Sequence, residues 1–382
     1  MMEPVAINKN KTASLRKLVL VSILLAILVV SLGAYTRLTH AGLGCPDWPG
    51  CYGLLDVPKT AEEISKAQQA FPERPVEPHK AWNEMIHRYF AGTLGLLLLA
   101  IAIMSIKIRK QGAPLKLPLL ILAVVIFQAA LGMWTVTMKL MPVVVMGHLL
   151  GGFTTLCLLF LLYLRLGNTG LANSQLRTNK LAQVPLEQTG AISKLKNWAM
   201  LGIVILTLQI ALGGWTSSNY AALVCTELPI CQNGWQEQLT FIDSFDLIPP
   251  EKESYEFGHL DHSERVTIHV MHRIGAMITF LYLAWLSLMV VLHRHAPSLK
   301  RSAQIVFACL VLQVGLGISN IWFSLPLFVA VSHNVVAACL MLALIKLTYQ
   351  LIQVRGLSVA STNDVVASSN QPIKTIQGAE SL

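Results

Sequence analysis

The chain has 382 residues and a net charge of +9, with 54% hydrophobic residues and only 13% charged ones. It is too apolar and too sparsely charged for a soluble domain of this length. The positive balance carries no lysine-rich tract and no series of stacking aromatics, so no nucleic-acid partner is expected.

Eight apolar runs stand out, near 18–36, 88–106, 117–137, 143–163, 198–216, 269–292, 302–322 and 328–350. A helix needs roughly 20 apolar residues to cross a bilayer, and irregular backbone cannot face lipid. The expected fold class is therefore an all-α integral membrane protein with eight transmembrane helices. The first run follows Arg16 and Lys17, as a signal peptide would. Its stretch from Leu18 to Ala34 exceeds the usual core of about 7–15 residues, and it resembles later runs, so it reads as a retained helix.

With the N-terminus on the inner side, inner segments carry 19 of the 29 Lys and Arg, while 16 of the 20 Asp and Glu fall outside. This split of +15 against −6 is the positive-inside pattern. It predicts a multi-pass protein of a bacterial inner membrane with both termini cytoplasmic.

After the first run comes GLGCPDWPGC, residues 42–51, which places Cys45 and Cys51 in an outer loop. Cys225 and Cys231, also six apart, fall in a later outer loop. On the oxidising side each pair can close a local disulfide. The spacing is not that of a C-x-x-C metal or redox site. Each pair reads as a staple, and for Cys45 and Cys51 a redox role stays open beside it. Cys157, Cys309 and Cys339 lie within apolar runs and read as small buried hydrophobes.

The chain repeats. His87-Arg88 recurs as His272-Arg273, 185 residues on, and His148 recurs as His333 at the same offset. Gln128 and Gln313 keep that register, as do Leu131-Gly132 and Leu316-Gly317. The cysteine pairs are offset by 180. The first, third, fifth and seventh runs carry LGAYT, LGMWT, LGGWT and LGISN near their outer ends. Two four-helix bundles of equal topology are expected, as parallel repeats. Residues 1–166 form the first, 167–190 a polar cytoplasmic linker, 191–356 the second and 357–382 a disordered cytoplasmic tail.

Histidine inside a membrane helix is costly and usually functional. His87 and His148 fall at similar depth on the second and fourth helices, which run in the same direction. His272 and His333 do likewise in the second half. Two imidazoles facing across a bundle suit a haem. Arg88 and Arg273 are candidate propionate partners, and Gly132 and Gly317 would let a broad ring approach the backbone. Interhelical hydrogen bonding is the bland alternative. A separate metal site lacks third and fourth ligands. His40, His79, His259, His262, His293 and His295 read as solvated loop residues.

The halves differ at one position. Glu84 stands one turn before His87, and its counterpart is His269. Glu84 is a candidate catalytic carboxylate, with helix capping as its alternative.

TRLTHAGLGCPDWPGCYG, KAWNEMIHRYFAG, the four placed histidines and the duplicated spans together resemble the haem A synthase family, in its bacterial type with cysteine pairs in the outer loops. The resemblance covers most of residues 18–350. It implies oxidation of the C8 methyl group of haem O to a formyl group, through an alcohol and an aldehyde hydrate, giving haem A for terminal oxidases. It implies that His87 and His148 hold the substrate haem, with Glu84 as the catalytic carboxylate, and that His272 and His333 hold a haem b cofactor. Cys45–Cys51 matches a loop pair that matters for activity, and Cys225–Cys231 is its repeat. Iron is then the bound metal, through these four histidines. The partners implied are membrane lipid, haem O, haem O synthase and oxidase assembly factors, with a homo-oligomer left open. A bis-haem electron carrier without substrate chemistry is the alternative, and a transporter is a third reading.

Overall fold

The structure, a computed structural model, describes residues 9–111, 113–168, 189–292 and 297–369. The described residues contain eight helices long and apolar enough to span a membrane, and no β-strand beyond one isolated bridge, between Cys51 and Leu54. The protein is a multi-pass membrane protein. The long helices are α1 (Lys9–Leu38), α3 (Pro78–Lys107), α4 (Lys116–Thr137) and α5 (Pro142–Asn168), then α6 (Thr189–Ser218), α8 (His262–Leu292), α9 (Pro297–Trp322) and α10 (Leu327–Ser369). Two short helices lie in the long loops, α2 (Ala61–Ala70) and α7 (Phe241–Ser244).

Several helices start well before their apolar runs. α3 begins with Pro78 in its first turn, about ten residues ahead of the hydropathy boundary. Proline is pre-organised for that position and lacks the N–H that would go unpaired there. Hydropathy marks only the lipid-embedded part of a helix, so it misses such extensions. It also misses α2, whose start is fixed by a capping box between Thr60 and Glu63. At the far end α10 is helical through Ser369, although composition suggests disorder from residue 357. Extending a helix that is already nucleated costs little. Residues 169–188 of the expected linker, His293, His295 and residues 370–382 lie outside the described residues.

In the first half α1 packs on α3, α3 on α4, α4 on α5 and α5 back on α1. α3 and α5 therefore stand across the bundle from each other. In the second half α6, α8, α9 and α10 close the same ring, with α8 and α10 opposed. The halves meet where α1 touches α10 and α5 touches α6. Gly214 lets α6 approach α5 closely, because an added Cβ would lie 2.9 Å from Leu149.

Each bundle has a dry end and a polar end. Leu15, Val19, Leu98, Ile101, Ile121, Leu156, Leu159 and Leu162 fill the first bundle away from the cysteine loops. Leu283, Leu286, Val306, Leu340, Leu344 and Leu347 do so in the second. Many hydroxyls within the spans bond to carbonyls three or four residues earlier, as Ser31 does to Ile27 and Thr155 to Gly151. This satisfies them where no water is at hand, while Ser105 and Ser287 are buried without a partner. All four histidines of the repeated register lie toward the loop end.

Candidate functional site: two facing histidine pairs under disulfide loops

The four LG echoes have one physical use. Gly33 on α1 lies against the ring of His87, and Gly132 on α4 against that of His148. Gly213 on α6 lies against His272, and Gly317 on α9 against His333. A Cβ at any of the four would sit 3.1 to 3.2 Å from the imidazole Cε1. The broad ring expected at Gly132 and Gly317 is thus an imidazole from the next helix, and Gly33 and Gly213 make the same notch. Each odd-numbered span seats the histidine of its neighbour.

His87 and His148 face each other across the first bundle, with ring centres 6.5 Å apart and planes at 83°. Two imidazoles bound on opposite sides of one metal, each about 2 Å from it, bring their ring centres roughly 6 Å apart. The observed pair fits that arrangement. His87, His148 and His333 each keep a buried ring nitrogen with no hydrogen-bond partner. Such an orphan costs about 1–3 kcal/mol unless something binds it. Gln128 donates to the backbone oxygen of His148 at 2.8 Å. Gln313 lies 3.2 Å from Nε2 of His333. Gln209 donates to the backbone oxygen of His272 and lies 3.0 Å from its Nδ1. The sequence register pairs Gln128 with Gln313 but gives no sign of Gln209, whose counterpart on α1 is Val29. Among the described residues, no cluster of three or more His, Cys, Asp or Glu could hold a separate metal ion.

Above each pair lies a loop closed by a disulfide, Cys45–Cys51 in one half and Cys225–Cys231 in the other. Both loops carry a cis X-Pro bond, Trp48–Pro49 and Leu228–Pro229. Asp47 accepts from the amides of Tyr52 and Gly53, shaping the first ring. Gly44 is required by close approach, since a Cβ there would come within 2.5 Å of the Lys80 backbone.

The loops are tied to the bundles by the residues of the EMIHR register. Glu84 is 5% exposed and lies well inside α3, whose N-cap is Glu77; it does not cap the helix. One of its oxygens accepts from the Cys45 amide at 2.8 Å and the other from Arg88. Arg88 also donates to the carbonyls of Asp47, Pro49 and Gly50. In the second half the Cys225 amide lies 3.4 Å from Nδ1 of His269, and Arg273 Nε lies 3.1 Å from the other ring nitrogen. Arg273 donates to the carbonyls of Cys225, Glu227 and Ile230. The same clamp thus contains a carboxylate in one half and an imidazole in the other. Arg88 and Arg273, expected at propionates, have their guanidinium groups engaged by these loop carbonyls. Their side chains fold back to the loop because several carbonyls converge there, which sequence does not reveal.

Among the solvated histidines expected, His40 stacks on Tyr220, with ring centres 5.8 Å apart, and His259 packs edge-on against Tyr255. His40, His79 and His262 are exposed, and His259 is half-buried.

Fold and site define a class: a multi-pass membrane protein in which two helical bundles each face a pair of histidines under a clamped loop. Residues 16–345 match the COX15-CtaA family, described as cytochrome oxidase assembly protein, and the chain belongs to that family. It is 49% identical over 329 residues to a heme A synthase of Shewanella oneidensis, covering 86% of this chain and 94% of the relative. It is also similar to heme A synthases of Chelativorans sp., at 25% identity with 81% and 83% coverage, and of Flavobacterium psychrophilum, at 24% with 83% and 92%.

Proposed function

We propose that the chain is a haem A synthase, an oxidoreductase that converts the C8 methyl group of haem O to a formyl group. The observation that carries the reading is the duplicated clamp with unequal contents, Glu84 beside His87 and His269 beside His272. Going from methyl to formyl adds one oxygen atom, removes two hydrogens and withdraws four electrons. A haem supplies reversible one-electron chemistry and a site for its own modification.

The first bundle binds the substrate. His87 and His148, seated by Gly33 and Gly132, would hold the haem O iron. Glu84 lies one turn from His87, on the same side of α3. Its carboxylate can accept a proton released from the methyl carbon and can stabilise positive charge growing there. The Cys45–Cys51 loop, clamped by Arg88, keeps bulk water from this carboxylate.

The second bundle binds a haem b cofactor through His272 and His333, seated by Gly213 and Gly317. With His269 in place of the carboxylate, this bundle keeps a loop anchor and lacks the anionic base. A haem b held there would supply one-electron transfer, relaying electrons singly to an acceptor outside the chain, while its own methyl groups would lack a neighbouring carboxylate. The charge asymmetry supports an inner membrane location with the cysteine loops outside and both termini cytoplasmic. Haem O synthase and oxidase assembly factors are the partners this chemistry requires.

The test is haem A formation in a host that makes haem O and lacks its own converting enzyme. Wild-type chain should yield haem A, and E84Q, H87A and H148A should not. Haem A from H87A at the wild-type level would overturn the assignment of the first bundle.

A further inference from the structure

Arg37 stands in the last turn of α1, four residues beyond Gly33. Four residues of helix rise about 6 Å, so Arg37 lies one turn further toward the loops than the notch for His87. Its guanidinium does not stay in its own half. It donates to the carbonyl of Ser217 at 2.6 Å and lies 4.0 Å from the centre of the Tyr220 ring. Ser217 follows Gly213 on α6 by the same four residues, one turn above the notch for His272. A first-half cation is therefore delivered to the loop-side rim of the second histidine pocket.

No carboxylate among the described residues lies within ion-pair distance of Arg37. Beyond the Ser217 carbonyl and the Tyr220 side chain, Glu256 acts on it only from outside ion-pair distance and is itself paired with Arg74. A guanidinium has five donors in a fixed fork suited to a carboxylate. The other two arginines of the site are held by loop carbonyls. Haem carries its two carboxylates on one edge, several bonds from the iron. A haem held by His272 and His333 with that edge toward the loops would bring them to this rim.

We propose that Arg37, on the first bundle, binds a carboxylate of the haem held by the second bundle. The proposal rests on the reading of His272 and His333 as haem ligands. It makes the second pocket a product of both halves, completed only when the bundles dock. Separately, Arg74 joins the halves through an ion pair with Glu256 at 3.2 Å; removing both partners in R74Q/E256Q loosens the seam without leaving an unpaired Glu256 near Arg37.

The test uses the full chain carrying H87A and H148A, so that only the second pocket takes haem. The protein is produced under haem depletion and titrated with haem b or with its dimethyl ester, whose carboxylates are capped. Without R37Q the protein should bind the free acid at least tenfold tighter than the ester. R37Q should lose that preference, R37K should keep part of it, and R74Q/E256Q should keep all of it. Equal preference with and without R37Q overturns the proposal alone. So does a matching loss in R74Q/E256Q, because that marks a loosened seam. Failure to bind either form overturns the second-pocket reading together with it. If R37Q does not accumulate, R37K decides: an undiminished preference would sink the bidentate role.

Discussion

Replacing Gly33 by alanine would put a methyl carbon 3.1 Å from Cε1 of His87, and Gly213→Ala would do the same to His272. Ordinary carbon contacts lie at about 3.5–4.0 Å, so each imidazole must retreat by roughly half an ångström. Functional sites must be held to within about 0.5 Å, so the shift reaches that limit. A full 1 Å misplacement costs about 100-fold, so half of it should cost about tenfold. In G33A the loss should fall on haem A formation per folded molecule. In G213A it should fall on retention of the cofactor haem. Alanine is also a better helix former than glycine by about 1 kcal/mol. That gain offsets part of the crowding at the imidazole, which costs about 1–3 kcal/mol, so the loss at the site should exceed any loss of apoprotein stability, which separates a site defect from a folding defect. Gly92→Ala provides the control, because an added Cβ there meets nothing within 4 Å. The assay is haem content by pyridine haemochrome, haem A by chromatography and melting temperature, on the same preparations. Wild-type haem content and turnover in G33A and G213A, or an equal loss in G92A, would refute the notch.

E84Q keeps one acceptor oxygen where the wild type uses two, for the Cys45 amide and Arg88. Haem content should stay within about twofold and haem A formation should fall about 100-fold or more; near-normal turnover would remove Glu84 from the chemistry. Replacing Cys45 and Cys51 together by serine should leave a haem-loaded protein with little product, and the same change at Cys225 and Cys231 should be milder, because that loop covers the second histidine pair, which has no neighbouring carboxylate. Equal turnover per haem-loaded molecule in the two double variants would reduce both disulfides to staples. Partial burial against Tyr220 and Phe257, and secondarily the charge of Arg37, hold His40 below the ordinary histidine pKa. The folded state then binds the proton less readily than the unfolded one, so this contribution is whole above about pH 6.5 and shrinks as pH falls through that value. The melting temperature should therefore drop slightly more between pH 7.5 and 5.5 in wild type than in H40Q, and parallel curves would contradict the assignment.

The spans and the four histidines were legible because both follow from local pattern. Hydropathy marks the lipid-embedded helices, and a fixed offset of 185 links His87 to His272 and His148 to His333. The LG echo was equally visible, but its use was not, since a glycine notch is defined by a side chain from another helix. Arg88 shows the same limit. Its neighbour His87 suggested a haem-facing role, while its hydrogen bonds reach carbonyls about 40 residues away that converge only once the loop is closed. Arg37 lies in the visible TRLT motif, yet its contacts at Ser217 and Tyr220 belong to the opposite half. Contacts across the seam depend on how the bundles dock, and a repeat in one chain does not specify that.

In the proposed reading one bundle holds a haem that is changed and the other a haem that stays as it is. Extraction and chromatography of the haems from purified wild-type protein, beside H333A and H148A, tests it most directly. Wild type should yield haem b together with haem O, haem A or a hydroxylated intermediate. H333A should lose only the haem b, and H148A only the substrate-derived haems. Haem b alone in wild type, with the two variants each losing half of it, would contradict the account and leave an electron carrier.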